Sequence, residues 1–200
     1  MTDLVGLVGI GIGAFAATDI DDLFVLMLFF SQPKFTPPQV ILGQYLGIGL
    51  LIALSALAAF IALIVPPFVI GMMGLLPLAI GIKKLLELIK KEDDYAPKSL
   101  DNINKRTTYL RFLTVAAVTF SNGGDNIGVY VPLFARSSTI GEVAILALVF
   151  LVITGVWCAL GYYLVRHRPL AKRFSLIGRI LLPFVLIGLG IFILVDAFLI

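Results

Sequence analysis

The sequence predicts an all-α membrane protein: six transmembrane helices arranged as two inverted three-helix repeats, with the N and C termini outside. Three observations predict it. Apolar residues come in blocks of membrane-spanning length, basic residues concentrate in alternate loops, and one polar motif recurs at a fixed offset. Hydrophobic residues make up 60% of the 200 and charged residues 14%, with a mean hydropathy of +1.08. Those values exclude an ordinary soluble domain.

The apolar blocks cover residues 4–30, 39–64, 68–90, 110–134, 141–165 and 176–199. Each is close to the ~20 residues a helix needs to cross the hydrocarbon. The first block is read as a helix and not as a signal peptide, because it lacks a basic leading region and carries acids at its centre. The substantial polar stretch, 91–109, divides the chain into a first three-helix repeat at 1–90, a cytoplasmic linker at 91–109 and a second three-helix repeat at 110–200. With six spans, the connections on one side hold 14 of the 15 basic residues, including Lys83 and Lys84, and Arg136 alone lies on the other. Because Lys and Arg favour cytoplasmic loops, that side is inside. The net charge of +3 then reads as anchorage to anionic lipid, not as a nucleic-acid surface.

Across the linker, A-T-D-I-D-D-L-F-V-L-M-L-F-F at 17–30 lies over S-N-G-G-D-N-I-G-V-Y-V-P-L-F at 121–134 with a constant offset of 104. The L-L-P of 75–77 returns at 181–183. Halves with an odd number of spans insert with opposite orientation, the construction of many alternating-access transporters. Thr18, Asp21 and Asp22 correspond to Asn122, Asp125 and Asn126. Each set falls at i, i+3 and i+4, one helix face.

Asp19 lies about 200° around a regular helix from Asp21 at ~100° per residue, so a straight helix cannot aim all three acids of this stretch together. Either the bundle surrounds this helix or the helix breaks here. Gly123 and Gly124 occupy the matching place in the second half, where an unwound turn is allowed and its carbonyls could become ligands. A charged acid at a helix centre costs roughly 2.5–3.5 kcal/mol, and the sequence suggests no Lys, Arg or His at matching depth. Such acids call for a cation. Asp21, Asp22, Asp125 and Asn126 are the expected ligands, with Thr18, Ser121 and Asn122 completing or orienting the shell and Asp19 tuning charge or carrying a proton. Oxygen donors of this kind suit a divalent ion, and protons compete for the same oxygens.

The motifs identify the chain as similar to the cadmium resistance transporter (CadD-like) family of the lysine-exporter superfamily. Its members carry an A-T-N-x-D-D-type motif in the first span and S-N-G-G-D-N in the fourth; here the latter is residues 121–126 and is followed by I-G-V-Y. Asp19 stands where that motif has Asn. The resemblance covers essentially the whole chain and implies export of divalent cations, cadmium being the named substrate. Cadmium prefers thiolate, yet the chain has one cysteine, Cys158, read as a packing residue. An oxygen site would take Mn²⁺, Zn²⁺ or Ca²⁺ as well.

The alternative is an exporter of amino acids or other small organic cations, but the substrate carboxylate would then need a positive group, and the cluster offers negative charge. An intramembrane aspartyl protease fits less well, because Asn122 stands where its G-x-G-D signature needs glycine. No Walker motif is present. The reading is therefore a non-enzymatic, multi-pass transporter of the plasma membrane. It needs no resident cofactor. Its partners are the bilayer, the transported cation and, where copies associate, a homo-oligomer; nucleic acid is not among them.

Overall fold

The computed structural model describes residues 4–62, 72, 75–90, 110–167, 180 and 183–195. The linker at 91–109, most of the basic 5–6 connection and both chain ends lie outside the described residues. Among the described residues the fold is helical throughout: α1 (Leu4–Thr18), α2 (Ile20–Ser31), α3 (Pro37–Ala62), α4 (Leu75–Lys90), α5 (Arg111–Asn122), α6 (Gly124–Ala135), α7 (Ile140–Arg166) and α8 (Pro183–Val195).

Local chemistry sets where the long helices begin. Thr36 precedes Pro37 and Pro38, whose missing N–H groups are harmless in a first turn. The Thr36 N–H donates to Gln39 Oε1 at 3.1 Å. At the start of α7 the Glu142 N–H donates to Thr139 Oγ1 at 3.2 Å, and Glu142 Oε2 accepts from the Ser138 N–H at 2.8 Å. Both follow capping-box logic, in which orphan first-turn donors are satisfied locally. Glu142 is thereby explained as a capping residue.

The first and fourth blocks do not form single helices. Each divides at one residue, Asp19 (φ −102°, ψ 13°) and Gly123 (φ −78°, ψ 26°), both near the sparsely populated bridge region. The divisions stand 104 residues apart, and raising both bounds of α2 by 104 gives the bounds of α6. The longer unwound turn that Gly123 and Gly124 would permit does not form. The breaks are one residue wide, and the Asp19 and Gly123 carbonyls accept from the Leu23 and Ile127 N–H groups at 3.2 and 3.1 Å. At ~1.5 Å per residue the 15-residue α1 and 12-residue α2 are each too short for a ~30 Å hydrocarbon core. The 26-residue α3 and 27-residue α7 are long enough and apolar enough to cross it.

Packing exchanges the halves. α3 packs most extensively on α5 and α6, while α7 packs on α1 and α2. Each long helix thus clasps the broken helix of the other half. Leu51 of α3 lies against Gly123, and the Trp157 indole of α7 donates to the Asp19 carbonyl at 2.7 Å. Gly81 of α4 meets Ile187 of α8; an added Cβ would come within 2.9 Å of the Ile187 backbone. The core between the halves is aromatic and aliphatic, with Tyr130 stacked on Phe150 at 4.3 Å and Phe15, Leu186 and Ile193 fully buried around them.

The outer surface is apolar. Leu42, Leu46, Leu50, Leu54 and Leu57 form an exposed stripe on α3, and Leu148, Val152 and Val156 form one on α7. The buried set includes Asp19, Asp21, Asp22, Gln44, Thr119 and Asn126. An apolar outside around a polar inside is the reverse of a soluble fold and suits hydrocarbon surroundings.

Small residues allow the close α3–α5 approach: a Cβ on Gly43 would lie 2.5 Å from Val115 Cβ, and one on Gly47 would lie 2.7 Å from Thr119 Cβ. Gly43→Ala is expected to lower stability by ~1–3 kcal/mol through overpacking. Gly49→Ala, which meets nothing within 4 Å, should be neutral or stabilising by up to ~1 kcal/mol. Thermal unfolding of the two variants in detergent checks this.

A candidate cation site at two helix breaks

Because the breaks sit side by side in the bundle, the residues following them share one interior region. Asp19 is fully buried. Its Oδ1 accepts from Asn126 Nδ2 at 2.9 Å and its Oδ2 from the Tyr130 hydroxyl at 2.9 Å. Asn126 Nδ2 also lies 3.1 Å from the Tyr130 oxygen. The Thr18 hydroxyl is 3.1 Å from both Asp19 Oδ2 and the Ala14 carbonyl, and its single proton serves one of them at a time. Asp19 therefore turns across the bundle to α6, while its backbone is held by Trp157 of α7.

Asp22, one turn on, faces different partners. Its Oδ1 accepts from Asn122 Nδ2 and its Oδ2 from Gln44 Nε2, both at 2.9 Å. Gln44 is fixed in turn by Thr119, whose hydroxyl donates to Gln44 Oε1 at 2.6 Å. A chain from α2 through α3 to α5 results, every link buried or partly buried.

The third arrangement involves charge. Lys84 Nζ of α4 lies 2.7 Å from Asp125 Oδ2 and 3.7 Å from Asp21 Oδ2. Asp21 and Asp125 stand 104 residues apart in the aligned motifs, and one ammonium joins them. The expectation that these acids lack a basic partner at their depth is thus corrected. Lys84 belongs to a helix, not to the charged 3–4 connection, and α4 packs on α6 through Ile80 at Gly128, which brings Lys84 to the acids.

Of the residues expected from sequence, Thr18, Asp19, Asp21, Asp22, Asn122, Asp125 and Asn126 lie in this interior region. Ser121 does not join them: its side chain is exposed and its hydroxyl donates to the Ala117 carbonyl at 2.7 Å. It precedes Asn122 by one residue, about 100° around the helix, so the two cannot share a direction. Lys84, Gln44, Thr119 and Tyr130 were not anticipated. An amide at 44 amid I-L-G-Q-Y-L-G was the available signal for Gln44, and Tyr130, four residues after Asn126, lies on the same face of α6. Among the described residues no three acidic, histidine or cysteine side chains group tightly enough to form a ready metal cage. The carboxylates are instead held by internal donors. Cys158 is buried in the apolar cluster of Leu26, Phe29 and Val118, as expected of a packing residue.

An apolar exterior around carboxylates gathered at two helix breaks defines a helical membrane protein with a polar interior site. Residues 15–200 match the family described as Cadmium resistance transporter, and the chain belongs to that family. The match includes every acid of the site. No curated protein and no solved structure matches the chain.

Tyr130→Phe removes a donor from buried Asp19 and is expected to lower stability by ~1–3 kcal/mol. Ser121→Ala should change it by less than ~0.5 kcal/mol. Chemical denaturation in mixed micelles, followed by tryptophan fluorescence, distinguishes these outcomes.

Proposed function

We propose that this protein exports a divalent metal cation from the cytoplasm across the plasma membrane, by alternating access between two inverted three-helix repeats. The carrying observation is that Asp21 and Asp125, equivalent residues at equivalent helix breaks, approach one positive group from opposite halves. A cation reached by a carboxylate from each half is well placed to be exposed first to one side and then to the other as the halves rock.

Six spans follow if α1 with α2, and α5 with α6, each cross as one interrupted helix. The recurrence of boundaries at offset 104 and the reciprocal clasping by α3 and α7 support that reading. Both termini would then lie outside and 91–109 would be a cytoplasmic linker, as the basic residues require. Asp21, Asp125 and Asp22 supply anionic oxygens, Asn122, Asn126 and Thr18 supply neutral ones, and Asp19 tunes the charge from the neighbouring turn. Such a site favours hard or borderline ions, so Mn²⁺, Zn²⁺ and Ca²⁺ stand beside Cd²⁺ as cargo. Protons compete for the same oxygens, and exchange of protons for the cation is the driving force that fits.

Lys84 gives the organic-substrate alternative the positive group it lacked. It already faces two carboxylates, however, so the formal charge of the trio stays negative, which favours an inorganic cation.

Uptake of Cd²⁺, Mn²⁺, Zn²⁺ and Ca²⁺ into inside-out proteoliposomes, with a lumenal pH dye, tests the proposal. Wild type should accumulate at least one of these ions with proton movement opposite to it. Asp125→Asn and Asp22→Asn should each lose roughly 10–100-fold of that flux, the scale of losing support at a metal site. Flux unchanged in both variants, or lysine moving in place of metal, would contradict it.

A further inference from the structure

The site contains a cation of its own. Lys84 Nζ bridges Asp125 Oδ2 at 2.7 Å and Asp21 Oδ2 at 3.7 Å, and its side chain is 18% exposed while both carboxylates are 10% exposed. The ammonium is thus the positive group nearest the pair from opposite halves. It is also carried on a flexible four-carbon stem that can swing without moving the helix. The residual exposure gives that stem somewhere to go.

We infer that Lys84 is a tethered counter-ion that alternates with the transported metal at Asp21 and Asp125. This rests on the export reading above. A divalent ion and an ammonium cannot both lie between the same two carboxylate oxygens, because at that spacing two positive charges repel strongly in a medium of low dielectric. When metal arrives, its doubled charge displaces the ammonium. When metal leaves, the ammonium returns and the two carboxylates are not left facing each other without a cation. The carrier can then make its metal-free return, the step on which the exchanged protons travel, at a modest cost. Without Lys84 the empty carrier would carry two uncompensated acids through the transition, whereas the metal-loaded carrier would be unaffected.

The test separates net transport from exchange. Net Cd²⁺ efflux requires the empty carrier to return. Exchange of labelled for unlabelled Cd²⁺, with excess Cd²⁺ on both sides, requires only loaded crossings. In reconstituted protein, Lys84→Gln, which keeps a hydrogen-bonding head but no charge, is expected to slow net efflux on the order of 100-fold, the factor for leaving one buried acid without its counter-ion. Exchange should stay within about 3-fold of wild type. Lys84→Met, which keeps the stem volume, should behave alike, and Lys84→Arg should retain both activities. Net efflux unchanged in the Gln and Met variants would overturn the inference. So would loss of efflux and exchange together in a variant whose melting temperature matches wild type, since Lys84 would then be needed for the loaded form. Wild-type vesicles that move no metal would instead remove the export reading itself.

Discussion

A carboxylate taken out of water must find a counter-charge or donors for its oxygens, and four of them within two short sequence stretches constrain everything else in this molecule. Each is answered from elsewhere in the chain. Asp19 takes Asn126 and Tyr130 from α6, Asp22 takes Asn122 and Gln44 from α5 and α3, and Asp21 and Asp125 share Lys84 from α4. Removing one member of a buried ion pair typically costs ~3–5 kcal/mol and one neutral donor to a buried acid ~1–3 kcal/mol, so these pairings hold helices from both halves in register. Among the described residues they also concentrate buried charge at the seam between the halves, where relative motion would be felt most.

Close backbone packing is the second requirement, since lipid offers apolar helices little incentive to associate. Gly43 and Gly47 let α3 lie against α5, Gly81 lets α4 meet α8, and Gly123 accommodates Leu51 at the break itself. The site is therefore held by direct helix contact where the hydrogen bonds act, and polar links across it stay short. In such a structure the breaks at Asp19 and Gly123 change the direction of side chains more than they unwind the backbone. They let Asp19, Asp21 and Asp22 all turn into one interior region, which a continuous helix forbids.

Much of this was legible in the sequence. Span-length apolar blocks anticipate the long helices, because hydropathy acts on the chain directly, and the offset of 104 pairs T-D-I-D-D with N-G-G-D-N, where both breaks fall. The helical phase of Asp19 against Asp21 required either a break or a surrounding bundle, and the backbone takes the break. Lys84 was misplaced for a physical reason: in a one-dimensional reading a lysine beside Lys83 at the charged end of an apolar block belongs to the loop. Only the packing of α4 on α6 turns it inward. Gln44 and Tyr130 were missed because a lone amide or phenol in a span carries no partner information until the facing helix is known. Ser121, about 100° around the helix from Asn122, is exposed and bonded to the Ala117 carbonyl.

The proposed cation site draws on both halves at once. Equilibrium binding of Cd²⁺ to the purified protein, in wild type, Asp21→Asn, Asp125→Asn and the double variant, tests it most directly. Residues acting as one unit give strongly non-additive losses. For a shared site, each single change weakens binding severely and the double change adds little to either. Two independent sites, each lost with its own aspartate and leaving the other at full affinity, would contradict it.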